Sequence, residues 1–133
     1  MPILPPAFPD QPRSRQLLGA GLGPVVFGLV SGLTLGWSSV AYWVWQAIAA
    51  LGGVGAGFDH RGARPGAARG LVGGLLYGGT TLVVRALTGA DDEVDLGSPA
   101  GWWLSVVVIS VLLGLLGGWL RGRRDLGTGA AGG

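Results

Sequence analysis

The stretch that decides the fold is DHRGARPGAAR, residues 59–69, a basic segment between two long apolar halves of the chain. It carries Arg61, Arg64 and Arg69, and no other interior segment clusters basic residues in this way. Because the cytoplasmic loops of membrane proteins carry an excess of Arg and Lys, this stretch predicts an orientation. It also divides the chain into two halves, each of which contains two long apolar runs.

The composition is that of a membrane protein. Of the 133 residues, 49% are hydrophobic and only 12% are charged, against about 25% charged residues in a soluble domain. The mean hydropathy is +0.52. A chain with so few charges cannot cover itself with a solvated surface, so we expect the bilayer to be its solvent.

Four apolar runs predict an all-α integral membrane protein with four transmembrane helices. The spans are residues 17–35, 40–58, 70–87 and 101–120, which together make a transmembrane domain over 17–120. At 1.5 Å per residue the first run is about 28 Å long, close to the ~30 Å hydrocarbon core. The short breaks within each half predict two antiparallel helical hairpins. Pro24 falls inside the first span, where we expect a kink.

The flanking segments give the orientation. Residues 1–16 are a Pro-rich tail, and residues 121–133 are an Arg-containing, then Gly/Ala-rich tail, of which we expect residues 125–133 to be flexible. The remaining topology signals are Arg121, Arg123 and Arg124, whereas residues 88–100 form an acidic loop with Asp91, Asp92, Glu93 and Asp95. Both termini and the central loop are therefore predicted to be cytoplasmic, in a multi-pass protein of a bacterial-type inner membrane.

A weak internal similarity relates the two halves. Residues 28–34 resemble residues 74–80, and residues 61–64 resemble residues 121–124. Each half is two spans long, so a true duplication would be a parallel repeat. The alternative is coincidence in a chain rich in Gly and Leu.

Glycines spaced four residues apart are the strongest packing signal. Residues four apart share a helix face, and small residues let membrane helices approach closely. These glycines predict either packing within one bundle or a seam between subunits, and the number of ridges favours self-association or docking on a partner. The predicted helix-packing residues are Gly28, Gly32, Gly36, Gly53, Gly57, Gly70, Gly74, Gly78, Gly114 and Gly118.

Three polar side chains within the spans are candidates for a polar path or an ion-interacting site. Gln46 shares the small-residue face of the second span, where one interhelical hydrogen bond is the simpler role. Thr81 and Arg85 lie four residues apart on the packing face of the third span. Arg85 is near the end of that span, so the simpler interpretation is that it reaches the headgroups and the acidic loop.

The sequence contains few residues of the types that enzymes use for catalysis. There is no cysteine and no lysine, and the single histidine, His60, follows Asp59 at a helix end that we expect to be solvated. No metal site, cofactor or nucleic-acid partner is indicated. The leading hypothesis is a non-enzymatic assembly, scaffold or regulatory subunit that forms a homo-oligomer or joins a larger membrane complex through its glycine-rich faces. The alternative is a small homo-oligomeric channel or transporter, and an intramembrane enzyme is a distant third.

Overall fold

The computed structural model of the protein describes residues 7–89 and 94–131, and every regular element in these ranges is helical. Four helices are long and apolar enough to cross a membrane. They are α1 (Arg13–Leu35), α2 (Ser39–Phe58), α3 (Ala63–Thr88) and α4 (Pro99–Ala131). One 3-10 turn, Phe8–Asp10, precedes α1. The predicted all-helical chain with four apolar helices is confirmed.

Helix α1 changes its winding just before its proline. It is α-helical over Arg13–Leu17, π-helical over Leu18–Leu22 and α-helical again over Gly23–Leu35. In the widened turn the amide of Gly23 donates to the carbonyl of Leu18. Pro24 has no amide to offer, and a local π turn is one way in which a membrane helix pairs the backbone groups that a proline disturbs.

Helix α3 begins earlier than predicted. The connection after α2 shrinks to residues 59–62, and the helix begins at Ala63 rather than at residue 70. Gly62 adopts φ 126° as the N-cap residue, and Pro65 lies in the first turn, where a backbone amide has no helical partner anyway. Arg64 and Arg69 therefore lie on a helix and not in a loop. The helix ends at Gly89, which adopts φ 60°.

Helix α4 continues well past its predicted end at Leu120. Its 33 residues correspond to about 50 Å, more than the ~30 Å core requires. The segment from Arg121 to Ala131 is helical. Arg123 lies over the Trp119 ring at 4.8 Å, and Arg121 faces Asp125 one turn later at 3.6 Å. These contacts between successive turns favour continued helix despite the glycines.

The four helices surround a common centre. α3 makes its most extensive contact with α4 and the next most extensive with α1, while α2 packs mainly on α4. α1 and α2 share only a small contact, as do α2 and α3. Around the bundle the order is thus α1, α3, α4, α2. Large apolar side chains cover the outside: Trp37, Val40, Leu51 and Leu87 are 72–82% exposed.

Candidate functional site

The seam between α3 and α4 is formed by backbones in direct contact. A β-carbon on Gly70 would collide with the carbonyl of Ser110, and one on Gly74 would lie 2.8 Å from the β-carbon of that serine. A β-carbon on Gly114 would collide with the carbonyl oxygen of Gly66 and lie 3.0 Å from the Gly70 α-carbon. The seam therefore depends on glycine at these positions, because any side chain would separate the helices.

The same seam continues at both ends. Gly78 faces the indole ring of Trp103, and Gly118 faces the carbonyl of Gly62. The amide of Gly62 donates to the carbonyl of Gly118 at 3.1 Å. The predicted glycine faces of α3 and α4 thus lie against each other along most of α3.

The glycines of α1 and α2 also face helices of the same chain. A β-carbon on Gly28 would lie 2.5 Å from the carbonyl oxygen of Tyr77, and one on Gly32 would lie 2.8 Å from the β-carbon of Val84. Gly57 faces the backbone of α4, and a β-carbon on Gly53 would lie 3.3 Å from Leu113 Cδ1. Gly36 follows the last residue of α1 as its C-cap. One bundle therefore uses these ridges, and their number no longer argues for a second copy.

A polar cluster joins α1, α2 and α3 near the middle of the bundle. The Tyr77 hydroxyl donates to Gln46 Oε1 at 2.6 Å and lies 2.9 Å from Ser31 Oγ, while Gln46 Nε2 donates to the same Ser31 oxygen at 3.2 Å. Ser31 is fully buried. Close by, the indole Nε1 of Trp45 donates to the carbonyl of Phe27 at 2.9 Å. The polar atoms of the cluster satisfy one another, which sequence spacing could not indicate because the three residues come from three helices.

The other two predicted polar-path residues do not join Gln46. Thr81 is fully buried, and its hydroxyl lies 3.1 Å from the carbonyl oxygen of Gly28 and 2.9 Å from that of Tyr77. It therefore links α3 to α1. Arg85 is half-buried in the last turn of α3. The acidic residues Asp91, Asp92 and Glu93, which we expected near it, lie outside the described residues.

A cavity of about 530 Å³ lies between the four helices. Its walls are mainly aromatic, aliphatic and glycine residues, including Phe27, Trp43, Ile109 and Leu113. The polar residues that line it include Tyr42, Gln46, Arg69, Tyr77, Asp95, Ser105 and Ser110. This volume and this mixture of many apolar groups with a few polar ones are typical of a ligand site.

Arg69 is the residue of this cavity that sequence reasoning used only as a topology signal. Its guanidinium donates to the carbonyl of Gly19 on α1. The sequence did contain a signal that Arg69 faces the same side of the helix as Tyr77, because Arg69, Gly73 and Tyr77 are spaced by four and share one helix face. It was missed because residues 59–69 were assigned to a loop, where helical spacing has no meaning.

The arginine-rich end of the bundle comprises the start of α1 with the turn before it, the 59–62 connection and residues 121–125 of α4, and contacts between these distant segments hold it together. The Phe8 ring stacks on His60 at 4.7 Å, and Arg61 pairs with Asp10 at 3.3 Å and with Asp125 at 3.8 Å. His60 is buried, so the expectation of a solvated end is wrong there. Burial lowers the pKa of His60 and raises the pKa of the neighbouring Asp59 carboxyl.

Comparison with protein-family models, with curated proteins and with solved structures gives no match. Within residues 7–89 and 94–131, no three His, Asp or Glu side chains are grouped so that they could hold a metal ion.

Proposed function

We propose that the chain is a non-enzymatic membrane subunit that acts by binding, as an assembly, scaffold or regulatory component of a homo-oligomer or a larger membrane complex. The observation that carries this proposal is the polar cluster of Ser31, Gln46 and Tyr77. These side chains hold three helices together and have their polar atoms engaged with one another. Groups used in this way stabilise a preformed bundle and are not held ready for chemistry or for water.

The proposed topology places both termini and the 59–62 connection in the cytoplasm of a bacterial-type cell, with two helical hairpins crossing the inner membrane. The clustering of arginines at one end of the bundle supports this placement. The two halves pack differently, since α3 and α4 share the largest contact and α1 and α2 a small one. An internal repeat thus has no support from the packing.

The partner surface we propose is the outer glycine face near the arginine-rich end. Gly21 of α1 and Gly55 of α2 have no neighbour within 4 Å of a built β-carbon, unlike the glycines of the α3–α4 seam. A partner helix can approach the backbone closely at such positions, which is how membrane helices associate without a hydrophobic drive.

The test is the mass of the purified chain in a mild detergent, with co-purifying polypeptides identified. We expect a defined complex that Gly55→Leu weakens. Val83→Ala, a change to an exposed residue of α3, which lies diagonally opposite α2 in the bundle, should leave it intact. A monomer under all conditions, or a complex that is indifferent to Gly55→Leu, contradicts the proposed surface.

A channel or transporter is the second candidate, and the cavity favours it. Arg69 lines the cavity near the arginine-rich end, and Asp95, in the loop before α4, lines it near the opposite end. Flux of small ions into liposomes separates the candidates. An ion preference that reverses with Arg69→Glu would indicate a path within the chain, whereas reversal with Arg85→Glu would indicate a path between subunits. No flux under any gradient supports the binding subunit.

A further inference from the structure

The central cavity has room that the fold itself does not require. A β-carbon on Gly19 would meet nothing within 4 Å, and one on Gly52 would meet only the Phe27 ring at 3.9 Å. Both glycines line the cavity. The glycines of the α3–α4 seam are explained by backbone contact, but these two are not, since alanine would fit at either position.

Arg69 places a positive charge on the wall of this cavity, and most of its hydrogen-bond donors have no partner among the described residues. A guanidinium has five N–H donors, and the partner of Arg69 in the described residues is the neutral carbonyl of Gly19. Within residues 7–89 and 94–131, no carboxylate lies within 4.0 Å of its nitrogens. The Asp59 carboxylate attracts it from farther away but forms no ion pair with it, so the charge is only partly compensated. A charged group on the wall of an apolar cavity is costly unless an anion or water accompanies it.

The depth of Arg69 matches a headgroup position. It lies six residues after Ala63, the first residue of α3, and its partner Gly19 lies six residues after Arg13, the first residue of α1. Both are therefore about 9 Å along their helices from the arginine-rich end. An arginine at this depth reaches the phosphate level of the nearer leaflet while its stem stays in apolar surroundings.

We propose that the cavity binds one anionic phospholipid, with its phosphate on Arg69 and an acyl chain between α1, α2 and α4. The guanidinium can hold a phosphate through two parallel hydrogen bonds, a geometry that lysine cannot reproduce. The apolar wall formed by Phe27, Trp43 and Leu113 suits an acyl chain. Basic pockets between transmembrane helices on the cytoplasmic side are a recurring form of lipid headgroup site. This inference rests on the proposed membrane location of the helices, but not on the proposed protein partner.

The experiment titrates the purified full chain in mild detergent with phosphatidylglycerol or with phosphatidylcholine and counts bound lipids by native mass spectrometry. We expect one phosphatidylglycerol per chain, held more tightly than phosphatidylcholine. Arg69→Gln should weaken phosphatidylglycerol binding about tenfold or more, because a hydrogen bond to a charged group is lost. Arg69→Lys should weaken it less. Inorganic phosphate, which has no acyl chain, should not displace the lipid.

Two further variants make the result specific to the cavity. Arg64→Gln removes the same charge from an exposed position of the same helix, so it should bind like the wild type. Gly52→Leu fills the cavity wall while keeping Arg69, so it should weaken both lipids. The thermal midpoint of each variant shows whether it is folded. Equal loss in Arg64→Gln and Arg69→Gln, undiminished binding in Gly52→Leu, or displacement by inorganic phosphate would each overturn the proposal.

Discussion

Gly114→Ala is the sharpest test of the α3–α4 seam. The added β-carbon would lie 3.0 Å from the Gly70 α-carbon, whereas ordinary contacts begin at 3.4 Å, and it would collide with the Gly66 carbonyl oxygen. Both obstacles are backbone atoms, so no rotamer change relieves them. The helices must separate by at least about 0.4 Å, and a gap near that size already forfeits about a quarter of each contact's attraction.

The matched control is Gly127→Ala in the same helix, because its β-carbon meets nothing within 4 Å. Both positions lie inside helices, and the gain in helix propensity from glycine to alanine, about 1 kcal/mol, is shared by the two variants. The difference between them therefore isolates the overpacking cost, which we expect to be about 1–3 kcal/mol in the free energy of unfolding.

Unfolding in mixed micelles of rising dodecyl sulfate content measures this difference, and the six tryptophans of the chain provide the fluorescence signal. We expect Gly127→Ala to unfold at or above the wild-type midpoint and Gly114→Ala clearly below it. If Gly114→Ala is as stable as Gly127→Ala, α3 and α4 do not meet through their backbones, and the account of the seam fails.

Three further outcomes are expected. Tyr77→Phe removes the hydroxyl that joins α1 and α2 to α3 and should lower the free energy of unfolding by about 1 kcal/mol. Ser105→Ala, whose hydroxyl bonds within its own helix, should lower it less. Equal losses would contradict the role of the polar cluster in holding the three helices together. A cysteine at Ser98 should react with an impermeant thiol reagent outside whole cells and one at Ala63 only after the membrane is opened; the reverse pattern would invert the topology. Burial lowers the pKa of His60 below its ordinary 6.5, so the folded state binds fewer protons than the unfolded chain, and stability is lost as the pH falls through that value. Protection of the N-terminal segment from amide exchange should therefore drop between about pH 7.5 and pH 5. A drop of equal size in His60→Gln would show that His60 is not the cause.

The fold class and the number of spans could be predicted because they follow from length and hydropathy. The helix ends could not, since local contacts decide them. The fourth span was predicted to end at Leu120, before a Gly/Ala-rich tail over 125–133, yet Arg121 and Arg123 have partners on neighbouring turns and the helix continues to Ala131. Residues 59–69 were predicted to be a loop, but α3 begins at Ala63, and Pro65 lies in its first turn, where proline is tolerated.

The candidate site was predicted in its parts but not in its arrangement. Spacing by four identifies a glycine face on each helix, but it does not say which helix that face meets. Gln46 was expected to make one bond across helices, and the structure supplies two partners, Ser31 and Tyr77. Arg69 was assigned to topology alone, because its role in the cavity depends on the position of Gly19, fifty residues away in sequence.

The glycine seam also sets where inherited change can be tolerated. Every amino-acid replacement of Gly70 or Gly114 adds at least one β-carbon, so no conservative exchange exists at these codons. The polar cluster is different, because its side chains meet through hydrogen bonds and not through backbone contact, so a smaller residue at Ser31 or Gln46 loses about 1 kcal/mol per bond and creates no collision. Random mutagenesis followed by selection for folded protein should therefore leave a line of unmutated codons facing each other across α3 and α4, and a scatter of accepted changes around Ser31 and Gln46.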